Sequence, residues 1–554
     1  MVYFLFFLLL LTITGMLSAR GFKIKQKKKA AALHNLWGQA KIADFNFNYI
    51  SIYAELNKEK SFHQLSAQTK SDIDFNDLFC LVDRTSSSAG QQFLFDALSK
   101  PTNDAVALRQ LNEQAHFFTD NEQQREQAQQ LLTGIASNDA YFIATLLNDN
   151  LPGKPAWYKW VIPYMAVMLL LILFSPQHHI FLLWLMIPLA INVFLHYQNK
   201  NYTRRFNKSF PQLNILMRIC KKLCSQELPF EDMQLKTSLR NLKSIQRKSS
   251  LLSFDESTFK DELTQAFLYL FELIKAFFLV EFFIFYSLLK EVQKRQSDIL
   301  TLFKYAGSVD TALSIANLRA GHLKTCEPIF LPAQKKLSSK QLYHPLIIEC
   351  VTNDICVAAK SILITGSNMS GKTTFLRTLA LNSILAQTIY TCFAATFNTP
   401  LLKLHSSVRI DDNLLDGKSY YFEEVTVMAA LINEVNQDYQ NLFILDEVFK
   451  GTNTIERIAS AKAILSFLNK NNNIVFVSTH DMELSALLAN EYELYHFAEA
   501  IKNNQFHFDH KLKAGPLKTS NAIRILELYN FPAEIIEEAQ SISKSLSMVN
   551  KQIL

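Results

Sequence analysis

Ser361-Ile362-Leu363-Ile364-Thr365-Gly366-Ser367-Asn368-Met369-Ser370-Gly371-Lys372-Thr373-Thr374 decides the fold of the C-terminal part of the chain. The first five residues are a short β-branched run that reads as a strand. A loop bounded by Gly366 and Gly371 follows, and Thr374-Phe375-Leu376-Arg377-Thr378-Leu379 reads as a helix. Strand, glycine-bounded loop and helix together make a phosphate-binding P-loop. Glycine lets backbone N–H groups wrap a phosphate, and the helix N-terminus adds its positive dipole end. Lys372 is placed to reach β- and γ-phosphates, and Thr373 to offer its hydroxyl to Mg²⁺. The expected nucleotide cradle is therefore Gly366, Ser367, Asn368, Met369, Ser370, Gly371, Lys372, Thr373 and Thr374, with ATP and Mg²⁺ as cofactors.

Downstream segments complete that reading. Leu442-Phe443-Ile444-Leu445-Asp446-Glu447 is an apolar strand ending in two acids. Asp446 suits the Mg²⁺ shell beside Thr373, and Glu447 suits the polarisation of an attacking water. Ile474-Val475-Phe476-Val477-Ser478 is a further strand that delivers Thr479 and His480. Ligands of open parallel sheets bind outside the strand ends, so His480 is expected to contact the γ-phosphate. The catalytic set expected from sequence is Glu447, His480 and Lys372, and the metal set is Thr373 and Asp446. The expected fold is an α/β P-loop ATPase preceded by a mostly helical region.

At these residues the chain resembles the MutS family of ABC-type ATPases. Asn368-Met369 inside the loop, Gly451-Thr452-Asn453-Thr454 after the acid pair and Ser478-Thr479-His480-Asp481 carry the likeness. Ser419-Tyr420-Tyr421-Phe422-Glu423-Glu424 is similar to the family's serine-led signature, which implies that Ser419 reaches the nucleotide of a partner chain. Leu517 to Ala522 and Phe531 to Ile536 resemble the family's closing helices. Upstream, Leu78 to Thr85 with Gly90 and Pro101 resembles the start of the family's core domain, Asp310 to Ala320 its returning lever, and Tyr343-His344-Pro345-Leu346 its Arg-His-Pro. The resemblance implies a homodimer through the ATPase domain, with nucleotides at the interface, and DNA as a possible partner. There are departures. Fewer than 80 residues precede Leu78, so the family's mismatch-reading and connector domains are not expected here. No aromatic stands near Cys350-Val351 to stack on adenine. Phe449-Lys450 occupies the place of a usual Gly-Arg. The Leu-Ser-Gly-Gly-Gln signature of transporter ATPases is missing.

Three apolar segments point to a membrane. Met1 to Ala19 is uncharged, and Arg20, Lys23, Lys25, Lys27, Lys28 and Lys29 follow it. A secretory signal carries its positive charge in front of the apolar run; charge behind it predicts a first helix that ends inside. Between Trp160 and Asn199 there is no Asp, Glu, Lys or Arg. That run breaks at Ser175-Pro176-Gln177-His178-His179, which predicts a transmembrane hairpin of helices 157–175 and 180–197. Each arm is near the lower length for crossing about 30 Å of hydrocarbon. Lys154 and Lys159 precede the hairpin and Lys200, Arg204 and Arg205 follow it, so both flanks are expected in the cytoplasm. A further apolar stretch, Leu263 to Leu289, contains Glu272, Lys275 and Glu281. Each of these costs about 2.5–3.5 kcal/mol near the centre of a spanning helix, so the stretch reads as a helix buried in protein.

The expected organisation is a transmembrane helix 1–19, a basic linker and helical lead-in 20–74, a helical core and lever 75–330 interrupted by the hairpin, an ATPase domain 331–545 and a tail 546–554. The location expected is a cell membrane, multi-pass, with the ATPase domain cytoplasmic and lipid as a partner. Composition fits: 49% hydrophobic and 19% charged residues exclude a disordered chain. The seven irregularly spaced cysteines make no zinc pattern and read as reduced thiols. Between Lys200 and Lys248 twelve basic residues face three acids. That stretch suits a solvated helix face, anionic lipid or nucleic-acid phosphate, and sequence leaves the three open. Two function classes remain: a membrane-tethered ATPase that binds DNA, and a membrane mechanochemical ATPase or scaffold that does not.

Overall fold

The computed structural model describes residues 31–178, 180–230, 233–252, 277–367, 370–409, 420–435, 438–449, 451–502, 505–517 and 531–553, with isolated positions at 20, 21, 24, 28, 523, 526 and 527. The first apolar segment, 1–19, lies outside the described residues, as do Asn368, Met369 and Ser419. The chain divides into two compact units. One comprises Met1–Glu59, Asp83–Asp96 and Gln114–Ala320, the other Lys60–Val82, Ala97–Glu113 and Gly321–Leu554. These units do not follow the linear boundaries expected at 74/75 and 330/331. Two early segments belong with the C-terminal part: Leu65 N of the first donates to Ser99 O of the second, and Thr102 N of the second to Gln387 O, both at 3.0 Å.

In the first unit every regular element among the described residues is a helix. Its axis is Gln296–Arg319, which is buried on all sides from Val309 to Leu318 and can be so because it is rich in Ala, Gly and Ser. The stretch around Asp83 is fastened to this helix. Asp310, fully buried, accepts from Ser86 N at 2.9 Å, Ser87 N at 2.8 Å and Ser87 Oγ at 2.5 Å. Those donors sit just before the helix Ser88–Ser99, so the carboxylate holds its N-terminal end. Within the part of the stretch 263–289 that is described, the helix Val280–Lys294 buries Phe282, Phe285, Leu288, Leu289 and Val292, a spacing that puts them on one face.

The hairpin region forms a 3₁₀ turn Ala156–Trp160 followed by the helix Val161–Phe174. Trp157–Phe174 is, among the described residues, the one helical stretch long and apolar enough to cross a membrane; Leu183–Leu195 is apolar but shorter. The expected second arm, ending at 197, is corrected: one helix runs from Ile180 to Cys224, 45 residues, with Pro188 and Pro211 inside it. It continues because Leu213, Leu216, Met217, Cys220 and Leu223 recur at helical spacing and are buried, so packing carries the helix on past the apolar run. The two arms satisfy polar groups between themselves: Tyr164 Oη donates to Pro188 O at 3.0 Å and Asn192 Nδ2 to Met168 Sδ at 3.2 Å.

The second unit is α/β. A six-stranded sheet has the order β10-β9-β4-β8-β7-β6, where β4 is Ser361–Thr365, β6 Lys403–Ser407, β7 Asn441–Asp446, β8 Ile474–Thr479, β9 Tyr492–Lys502 and β10 Gln505–Ala514. Strands β6, β7, β8, β4 and β9 run parallel, and β10 pairs antiparallel with β9. The central strands read as continuous apolar runs because helices cover both faces of a parallel sheet. Phe443, Leu445, Val475 and Val477 pack against Leu431 and Leu465 of the helices Tyr420–Glu434 and Thr454–Leu468. A second sheet of four strands, order β1-β5-β2-β3 with β1 Pro328–Leu331, β2 Leu337–Leu342, β3 Asn353–Val357 and β5 Thr396–Pro400, was not expected from sequence.

Candidate nucleotide site

Strand β4 is buried along its whole length between β8 and β9. It delivers Gly366 and Ser367 to the C-terminal edge of the sheet, where the chain turns into the helix Lys372–Ala386. Gly371 caps that helix at φ +114°, a backbone region that favours glycine, and its carbonyl accepts from Phe375 N at 2.9 Å. Lys372 is 4% exposed. Its ammonium donates to Gly366 O at 2.8 Å and Ser367 O at 2.9 Å and stands 3.3 Å from His480 Nε2. A buried cation held by loop carbonyls, at a helix N-terminus, makes a strongly anion-attracting mouth.

The acids meet the loop from the adjacent strand ends. Thr373 Oγ1 donates to Asp446 Oδ2 at 2.6 Å, and Ser478 Oγ donates to Asp446 Oδ1. A hydroxyl and a carboxylate so placed are the hard oxygen donors that Mg²⁺ takes. Glu447 follows at φ +55°, with its N–H given to Ser478 O at 3.1 Å. A non-glycine residue held in the left-handed region costs of order 1–3 kcal/mol, and such strain gathers at functional sites. Glu447 Oε1 lies 2.9 Å from His480 Nε2. Lys372, Glu447 and His480, predicted from three separate segments, therefore converge on one point. Ser370 is buried and its carbonyl lies 3.1 Å from His510 Nδ1. Thr374 lines, with Lys372, Thr373, Glu447 and Phe497, a cavity of about 440 Å³. The same cavity reaches Ile347, the loop after Tyr343-His344. His344 there is buried and pushed down to about 4 by desolvation, so it is neutral near pH 7.

Three residues escaped the sequence reading. Ser367 Oγ donates to Glu499 of β9, and His510 of β10 lies against the loop. Their only signal in sequence is an amphipathic hairpin far downstream. Arg457, in the helix Thr454–Leu468, grips Asp481 through Nε at 3.1 Å and Nη2 at 2.7 Å. That bidentate pair raises the Arg457 guanidinium above its ordinary pKa and fixes the residue next to His480. An Arg three residues into a helix gives no such hint by itself.

This geometry can be set beside known proteins. Residues 362–547 match the family model described as MutS domain V. The DNA mismatch repair protein MutS of Thermus thermophilus is 27% identical over 268 residues, which cover 48% of this chain and 32% of that protein. The DNA mismatch repair protein MutS of Listeria welshimeri is 30% identical over 291 residues, 49% of this chain and 33% of its own length. The MutS protein homolog him-14 of Caenorhabditis elegans is 32% identical over 235 residues, 40% of this chain and 27% of its own length. The chain spans about a third of the length of the curated relatives it matches. The domain V match covers the glycine-bounded loop, the acid-bearing end of β7 and His480, and it is over this domain that the chain is similar to the MutS proteins.

Proposed function

We propose that the chain is an ATP hydrolase of the MutS type, tethered to a membrane. The observation that carries the hydrolase reading is the meeting of Thr373 and Asp446 at 2.6 Å beside the buried Lys372 ammonium. Lys372 exchanges its two loop carbonyls for phosphate oxygens of ATP. Thr373 and Asp446 would hold Mg²⁺. The ion supplies neutralisation of the charge that develops on the transferred phosphoryl group. Glu447 orients and deprotonates the attacking water, and His480, 2.9 Å away, holds that carboxylate and faces the γ-phosphate. Asn368 and Met369 belong to the cradle, and Ser419 completes the site of a second copy in a dimer, by family resemblance.

The family-level ligand is DNA, as in the names of the mismatch repair relatives. A second reading is a mechanochemical membrane ATPase without DNA; the hairpin supports the membrane part that both readings share. Trp160, Leu173, Leu183 and Phe194 are each 65–72% exposed, with neighbours of the same kind on both arms. An apolar surface of that extent marks a membrane or protein contact. Helices satisfy their own backbone and so can span lipid. The tether places the protein in a cell membrane, multi-pass, with Lys154, Lys159, Lys200, Arg204 and Arg205 on the cytoplasmic side along with the ATPase unit.

The test uses the full chain in detergent. Glu447→Gln should retain ATP binding and slow hydrolysis by about 100-fold or more, whereas Lys372→Ala should lose both. Hydrolysis by Glu447→Gln at the wild-type rate would sink the assignment. Stimulation of the wild-type rate by branched or mismatched duplex separates the DNA reading from the one without DNA.

A further inference from the structure

A short acidic turn in the second unit is bonded both to the phosphate-binding helix and to the exit of β6. The helix Ala67–Asp72 begins at Ser66, whose side chain accepts from Thr69 N. Its last residue, Asp72, is fully buried. The Asp72 carboxylate accepts from Ser406 Oγ at 2.6 Å, Arg409 N at 2.8 Å, Gln68 Nε2 at 2.9 Å and Val408 N at 3.1 Å. Two residues later Asp74 adopts φ +51°. Its Oδ1 accepts from Arg409 Nη1 at 2.8 Å and its Oδ2 from Arg377 Nη1 at 3.1 Å.

The two arginines stand on different elements. Arg377 lies on the helix that begins with Lys372 and Thr373. Arg409 lies just past β6, whose Ser407 pairs with Leu445, the residue before Asp446. From Arg409 the chain runs on through residues 410–418 to Ser419. Two guanidinium groups repel, and one carboxylate between them reverses the sign of the interaction. The left-handed backbone at Asp74 is tolerated by aspartate better than by most residues and persists where the surroundings hold it.

We propose that Asp74 is a positioning residue for ATP hydrolysis, which by binding Arg377 and Arg409 together locks the exit of β6 to the phosphate-binding helix. Asp72 anchors the same exit from the side of residues 67–72. The inference rests on the hydrolase reading of the site. Asp74 acts through the two arginines that it binds. Its loss should therefore slow turnover and leave the phosphate cradle able to bind ATP.

The experiment compares wild type, Asp74→Asn and Asp74→Glu as full chains in detergent, measuring kcat and, separately, the Kd of a fluorescent ATP analogue. For Asp74→Asn we expect kcat to fall about tenfold or more with Kd unchanged within about twofold. Asp74→Glu, which keeps the charge, should recover most of the loss. Arg409→Ala removes a half-exposed side chain and carries the same expectation, so it serves if Asp74→Asn does not fold. Wild-type kcat in Asp74→Asn or in Arg409→Ala overturns the proposal, and so does a loss of affinity that matches the loss of kcat. A wild-type protein that neither binds nor hydrolyses ATP overturns the hydrolase reading itself, and this inference with it.

Discussion

Replacing Gly90 by alanine should unfasten the helical unit. A methyl at Gly90 would lie 2.1 Å from Asp310 Oδ2, 2.5 Å from its Cγ and 2.6 Å from its Cβ. Turning the carboxylate away does not clear the clash, because the Asp310 Cβ is in the way as well. The helices Ser88–Ser99 and Gln296–Arg319 must separate by roughly 1 Å to restore van der Waals distance. That shift breaks the three hydrogen bonds that Asp310 accepts from Ser86 and Ser87. Bonds to a charged group contribute about 1.5–3 kcal/mol each, and alanine returns at most about 1 kcal/mol of helix propensity. The net loss is roughly 3.5–8 kcal/mol, a fall in melting temperature on the order of 10 °C or more. Thermal unfolding of the detergent-solubilised protein measures it, with Gly153→Ala as a control, since nothing lies within 4 Å of a methyl there. The same carboxylate gives a pH signature. Burial pushes Asp310 up to about 6 from an ordinary 3.8. The folded state therefore takes up this proton before the unfolded state does, and the group adds stability as pH falls from about 7 towards 4. Moving from pH 7.5 to pH 5 should favour wild type relative to Asp310→Asn. A Gly90→Ala protein that melts within about 2 °C of wild type would refute the close-packing argument.

Phe449 sits at φ +63° where the resemblance would place glycine, yet its ring is buried and lies 5.9 Å from Tyr421. Phe449→Gly should relieve about 1–2 kcal/mol of left-handed strain and forfeit about 3–5 kcal/mol of packing, so a lower denaturation midpoint is expected, and a higher one would show that the strain outweighs the ring. For the membrane orientation, an enzyme reporter that works only outside the cytoplasm, fused after Leu554, should be silent; activity there would reverse the proposed topology.

How much of this was legible in the sequence depends on the range over which each residue acts. The strand–loop–helix at Ser361–Leu379 is written in consecutive residues, so its form could be read directly. Asp446, Glu447 and His480 were also readable, because each ends an apolar run and parallel strands bring their ends to one edge. Glu499, His510 and Arg457 were not. Each reaches the site through a partner distant in sequence, and the local pattern around each is that of an ordinary strand or helix. The helix Ile180–Cys224 was cut short for a related reason. Polarity marks where an apolar surface ends, but a helix ends only where its backbone bonds or its packing do.

The units of the fold were the least legible feature, and Asp72 shows why. In sequence it is one acid among polar neighbours in Ser66-Ala67-Gln68-Thr69-Lys70-Ser71-Asp72, a stretch that reads as a solvated helix. In the structure it is fully buried, and burial raises its pKa despite four donors that pull the other way. An acid accepts that desolvation only where the donors are already fixed by other structure. Here they are fixed by β6 and the residues after it, more than 330 positions away, as Ser406, Val408 and Arg409. So Lys60–Val82 joins the α/β unit through bonds that only tertiary structure supplies, while the next residue, Asp83, begins a segment of the helical unit. Val82 thus closes a segment whose turn at Asp74 grips the helix Lys372–Ala386 through Arg377, a tie between residues 303 positions apart.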